Sequence, residues 1–139
     1  MTSQGQQIAP SVAVFETLAR AAFERLPAAF RAQLGDVVIR IEEFADAEQL
    51  AAVDLDDPWE LTGLYTGIPM GDKSAFDTPR QPDMIHLFRQ PLLAEWCESG
   101  VDLADLINHV VVHEVGHHFG LSDDDMHALE DAAQENPEA

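Results

Sequence analysis

The stretch that most constrains this chain runs from Leu103 to Phe119. Asp102 precedes it as a helix cap and Gly120 follows it as a stop, so one long apolar helix is predicted over 102–119. Val110–Val112 supplies that helix with a buried face, and His113-Glu114-Val115-Gly116-His117 follows directly. Two residues four apart on an α-helix differ by only ~40° in azimuth and one turn in height. Both imidazoles can therefore converge on one ion, as tetrahedral zinc requires. Glu114 sits beside such an ion without having to bind it, which is where a base for an activated water belongs. A helix carrying a site of this kind must be held rigidly, so the rest of the chain has to pack against it.

The five-residue pattern alone arises by accident in roughly 2 of 100 shuffled chains of this composition. It is extended, however, by Gly120 three residues after His117 and Asp123 three further on. With those two requirements the accidental rate falls to roughly 2 in 10,000. The extension also makes mechanical sense. The helix must stop after His117 if a ligand at position 123 is to swing back to the ion, and glycine accepts the left-handed conformation that this exit needs. A carboxylate oxygen is an acceptable third zinc ligand, leaving the fourth position for water.

His113-Glu-Val-Gly-His-His-Phe-Gly-Leu-Ser-Asp123 resembles the H-E-x-x-H-x-x-G-x-x-[HD] signature of the zincins, on the metzincin side. The chain as a whole is similar to the small bacterial zincin-like metallopeptidases. That similarity extends through Gly63-Leu-Tyr-Thr-Gly-Ile-Pro69, Leu87-Phe-Arg89 with Pro91-Leu, and the segment near Ile39, covering most of residues 11–134. The resemblance implies a minimal α+β zincin-like domain with one Zn²⁺ per chain on His113, His117 and Asp123. It implies a zinc metallopeptidase that hydrolyses peptide bonds with Glu114 as general base. It also implies an edge strand over the cleft that pairs with an extended peptide, for which Met84–Arg89 is the candidate. Two departures stand out. Little sequence follows Asp123 to make the Met-bearing turn of larger metzincins, and Met126 is too close behind it to be equivalent. No downstream residue is evident as an oxyanion stabiliser, with Tyr65 and His127 the two candidates. These departures motivate the alternative of a zinc-containing peptide-binding or regulatory module with little or no turnover. A purely structural zinc site is the weakest reading, because such sites usually have four protein ligands and Glu114 would have no purpose in one.

The remaining segments read as a small α+β unit, with a three- to four-stranded sheet and helices packed on it. Ser11 caps a helix with Phe15, Leu18, Ala22 and Leu26 on one face, and Pro27 interrupts it before a short helical stretch ending at Gly35. Val37–Glu42 alternates with the period of a strand. Asp46 with Gln49 resembles a capping box on a short helix through Val53. Leu61–Thr66 is a weaker strand because Gly63 lies inside it, and Met84–Arg89 is a third. Pro91 starts a short helix to Gly100. Ser122 with Asp125 opens a last helix to about Gln134. Residues 66–83 carry the longest loop signal. Residues 1–10 are expected to be disordered, 11–134 to form a single domain, and 135–139 a tail.

Composition enters through charge. With 26 acidic residues against 7 basic ones, a formal net charge of -19 repels phosphate backbones and anionic lipid. Nucleic acid and membrane surfaces are therefore excluded as partners, and a peptide or protein substrate of basic character is favoured. No apolar run reaches the roughly 20 residues of a membrane helix. Met1–Ser11 lacks an export signal and Cys97 has no second cysteine to pair with, so a cytoplasmic location is expected. Among the other histidines, His109 lies one turn before His113 on the same face; an extra ligand or a group supporting the ligands is one reading, and a partly exposed or hydrogen-bonded helix residue is the favoured one. His118 reads as structural and His86 as a strand residue; Asp124 and Asp125 are competitors of Asp123 for the metal, although helix capping behind Ser122 explains at least one of them more simply.

Overall fold

A computed structural model describes residues 8–67 and 82–135. Helix α1 spans Val12–Glu24 and α2 spans Ala28–Leu34, with Pro27 between them as predicted. The Ser11 hydroxyl accepts from the Val14 amide, and Gly35 closes α2 at φ 68°. Strand β1 is Val38–Glu42, followed by α3 over Ala47–Ala52, where both halves of the Asp46–Gln49 capping box form. A 3-10 turn at Pro58–Glu60 leads into β2, Gly63–Thr66. Strand β3 is Met84–Phe88 and passes directly into α4, Arg89–Ser99. Helix α5 occupies Leu103–Phe119 and α6 Asp123–Glu135. Most of the loop predicted at 66–83, and the expected disordered start and C-terminal tail, lie largely or wholly outside the described residues.

The strands form one mixed sheet in the order β1-β3-β2. Strand β1 runs parallel to β3, with Ile39 opposite Ile85, and β2 runs antiparallel to it, with Tyr65 opposite Ile85. Central placement explains why β3 is apolar on both faces. Ile85 and Leu87 point into the larger core with Phe15, Ala19, Ile107 and Val111, from α1 and α5. Phe88 points the other way, into a second cluster with Ala45, Leu50, Leu61 and Leu64. Each fully buried Phe or Ile of this kind contributes about 1.5–3 kcal/mol. His86 shares the second face and is buried there. Its Nδ1 lies 2.8 Å from Glu42 Oε1 on β1, and its Nε2 lies 3.2 Å from the Thr66 hydroxyl on β2. One imidazole thus ties all three strands together.

Two expectations change here. Met84–Arg89 cannot receive a peptide as an edge strand, because β3 has a partner on both sides and its ladder bonds are spent within the sheet. Among the described residues, the edge on the side of α5 is β2. The strand is also shorter than the expected Leu61–Thr66, with Gly63 as its first residue rather than inside it. A Cβ there would come within 2.6 Å of Val110 Cγ1 and 3.4 Å of Glu114 Cγ, so glycine is what lets β2 lie directly on α5.

Candidate metal centre

Helix α5 starts where Asp102 accepts from the Asp105 amide, and its interior is held by Ile107, Val111, Val112 and Val115, all fully buried. It ends in a Schellman turn. Gly120 adopts φ 72°, its amide bonds the His117 carbonyl, and the Leu121 amide bonds the Gly116 carbonyl. The chain reverses there, and Ser122 caps α6 by accepting from the Asp125 amide. Helix α6 then returns along α5. The approach is close because Gly116 has no side chain: a Cβ would meet Met126 Sδ at 2.5 Å, and Met126 is buried against it.

This hairpin gathers groups around His113. Its Nε2 is buried and has no hydrogen-bond partner among the described residues. The His117 ring centroid is 6.4 Å away, on the expected side one turn further along. The His109 centroid is only 4.1 Å away, and that of His127 on α6 is 6.2 Å away. Glu130 Oε1, also on α6, lies 3.9 Å from His113 Nε2 and accepts from His109 Nδ1 at 3.0 Å. Burial, then the neighbouring His109 charge, holds the His113 pKa below the usual histidine value, while Glu130 works in the other direction. A neutral imidazole is the form that binds a metal ion.

Glu114 occupies the flank of α5 beneath β2. Its Oε1 accepts from the Tyr65 amide at 3.1 Å, and its Oε2 is 3.9 Å from His117 Nδ1. Only 16% of the side chain is exposed, against 61% for His117. Burial is the largest influence on the carboxyl and raises its pKa, opposed by His117 and by the Tyr65 amide. The Tyr65 ring stacks on His118 with centroids 4.3 Å apart, and its hydroxyl donates to Asp83 Oδ2 at 2.8 Å. Burial and the Asp83 carboxylate push the phenol pKa upward, so it stays protonated.

His113 and His117 thus lie one turn apart on α5, the first partly buried toward α6 and the second exposed, while Glu114 is covered on the side of β2. The side chain of Asp123 is outside the described residues; its backbone forms the first turn of α6. Glu130 was not singled out from the sequence. Together with His109 and His113 it offers ligand atoms all within 4.8 Å of one another. The signal for it lay in the hairpin itself: two antiparallel helices folded about Gly120 bring position 130 level with 109.

An α+β domain whose long helix carries this histidine pair and glutamate beside an edge strand has the architecture of a zincin. The family model for zincin-like metallopeptidases matches residues 34–133, and the chain belongs to that family. No curated protein matches it. No helix among the described residues is long and apolar enough to cross a membrane.

Proposed function

We propose that the chain is a zinc-dependent peptidase in which His113, His117 and Asp123 hold one Zn²⁺ and Glu114 is the general base. The observation that carries this reading is the Glu114 carboxylate, shielded by β2 and fixed between the Tyr65 amide and His117. The residues suit the ion: His113 Nε2 is a buried donor atom with no hydrogen-bond partner among the described residues, and two imidazoles with a carboxylate are an ordinary zinc set.

Bound Zn²⁺ would supply Lewis acidity, making a water more acidic and polarising a scissile carbonyl. The chain's own residues do the rest. Glu114, whose proton affinity is raised by burial, takes a proton from the attacking water as the oxygen bonds to the carbonyl carbon. It then delivers that proton to the amine nitrogen as the C–N bond breaks. The Tyr65 amide keeps the carboxylate aimed throughout this exchange. The substrate backbone would lie along β2, the edge strand next to Glu114. Of the two oxyanion candidates, Tyr65 already donates its hydroxyl to Asp83, which leaves His127 as the better placed. The net charge of -19 favours basic peptides.

The test is cleavage of a diverse, lysine- and arginine-rich peptide library by zinc-loaded protein, compared with Glu114→Gln. Zinc-dependent cleavage that the substitution abolishes supports the peptidase. Peptides captured uncut, with affinity unaffected by the substitution, would establish the peptide-binding module instead.

A further inference from the structure

We propose that His109, His113 and Glu130 form a second divalent-metal position, alternative to the His113/His117/Asp123 set, where a bound ion is held away from Glu114. The inference rests on that ligand set in describing the two positions as alternatives. The cluster itself comes from independent geometry.

Three observations converge on it. The ligand atoms of the three side chains lie within 4.8 Å of one another, so modest side-chain movement would bring all three to bonding distance of one ion. Glu130 is only 16% exposed and its carboxylate already turns toward both imidazoles, 3.0 Å from His109 and 3.9 Å from His113. The buried His113 Nε2, which has no hydrogen-bond partner among the described residues, faces this carboxylate. An entry path exists as well. A cavity of about 280 Å³ is lined by His109 and Glu130 together with Glu95, Asp105 and Leu106. Its acidic wall would draw cations inward.

Two imidazoles and one carboxylate suit zinc, cobalt or nickel, and not the hard ions magnesium and calcium. Helix geometry sets the consequence. From His113, the direction to His117 rotates ~40° toward Glu114, which stands at ~100°, whereas His109 lies ~40° on the opposite side and one turn earlier. An ion on His109 and Glu130 is therefore carried away from the base. It also occupies His113, so one ion excludes the other. The position would hold metal in a catalytically silent place.

Metal titration can separate this from the assignment under Proposed function, using Zn²⁺ by calorimetry and Co²⁺ by visible absorption. Circular dichroism verifies the fold of each metal-free variant. His117→Ala dismantles one set and leaves the other whole. It should still bind one ion per chain, about 100-fold more weakly than the parent, with an altered cobalt spectrum. That residual binding should disappear when His109→Ala or the shape-preserving Glu130→Gln is added, and should persist when Asp123→Ala is added. If His117→Ala binds no ion, or if its binding survives both His109→Ala and Glu130→Gln, the proposal is overturned. If His117→Ala binds as tightly as the parent and His109→Ala abolishes binding, this position stands and the His113/His117/Asp123 assignment fails.

Discussion

The Tyr65 amide on β2 donates to Glu114 Oε1 on α5 at 3.1 Å, across 49 residues of sequence. That single bond fixes the rotamer of the carboxylate next to the first histidine of the metal motif. It also explains why β2 must touch the helix, and hence why position 63 is glycine. Helix α5 and strand β2 are thereby joined at this point.

Glu114→Gln should leave zinc content and fold intact while reducing peptide turnover by about 10²–10⁴-fold, the usual worth of a positioned base. Glutamine keeps the oxygen that accepts from Tyr65, so geometry is preserved and only proton transfer is lost. Steady-state kinetics with elemental analysis of both proteins checks this. Turnover undiminished in the variant would remove Glu114 from the mechanism.

The same substitution has a pH signature in metal-free protein. Burial raises the Glu114 pKa, so the folded chain holds that proton more tightly than the unfolded chain. A group raised in this way contributes stability below its unfolded pKa, and the contribution is lost as pH rises through the folded value. Glu114→Gln should therefore melt higher than the parent near neutral pH. The advantage should fade as pH falls toward about 4.3, the ordinary glutamate value. Melting curves in chelator across that range decide it, and a lower melting temperature for the variant at neutral pH would contradict a buried, proton-hungry carboxylate.

Gly63→Ala should cost about 1–3 kcal/mol, the usual range for forcing extra atoms into a packed contact. The added Cβ would lie 2.6 Å from Val110 Cγ1, a stiff β-branched side chain that cannot turn aside. Because relief requires β2 to lift from α5, turnover should drop at least tenfold even where the fold persists. Chemical denaturation and kinetics on the same preparation test the two effects together.

For the third ligand, Asp123→Ala should weaken zinc affinity by well over tenfold, while Asp124→Ala and Asp125→Ala should leave it nearly unchanged. Asp124 and Asp125 are exposed on the first turn of α6, and the Asp125 amide is occupied with the Ser122 cap. Isothermal titration of the three variants provides the comparison. Equal losses at all three positions would move the assignment away from 123.

Much of this molecule was legible in one dimension. The capping box at Asp46, the break at Pro27, and the Asp102 and Gly120 boundaries of α5 are local events, set by side-chain-to-backbone bonds and by glycine's access to positive φ. The proximity of His113, Glu114 and His117 follows from helix pitch alone. The order of strands did not follow. Met84–Phe88 reads as apolar whether it lies at an edge or in the middle, and only pairing with both β1 and β2 makes it central. The place of His109 one turn before His113 was also legible, but its own helix could not show that Glu130 of α6 stands 3.0 Å from it.

The sequence by itself therefore determined the helix over 103–119 and the one-turn spacing of His113 and His117 on it, which depend on a single regular element, and, through the longer motif and the segments that resemble it, the family to which the chain belongs. Only the tertiary structure decided that β2 shields and orients Glu114, and that α6 brings Glu130 to His109 and His113. Those contacts join residues 49 and 21 positions apart in the cited pairs Tyr65–Glu114 and His109–Glu130. They exist because Gly63 and Gly116 allow backbones to approach where any side chain would collide, a property that packing reveals and periodicity does not.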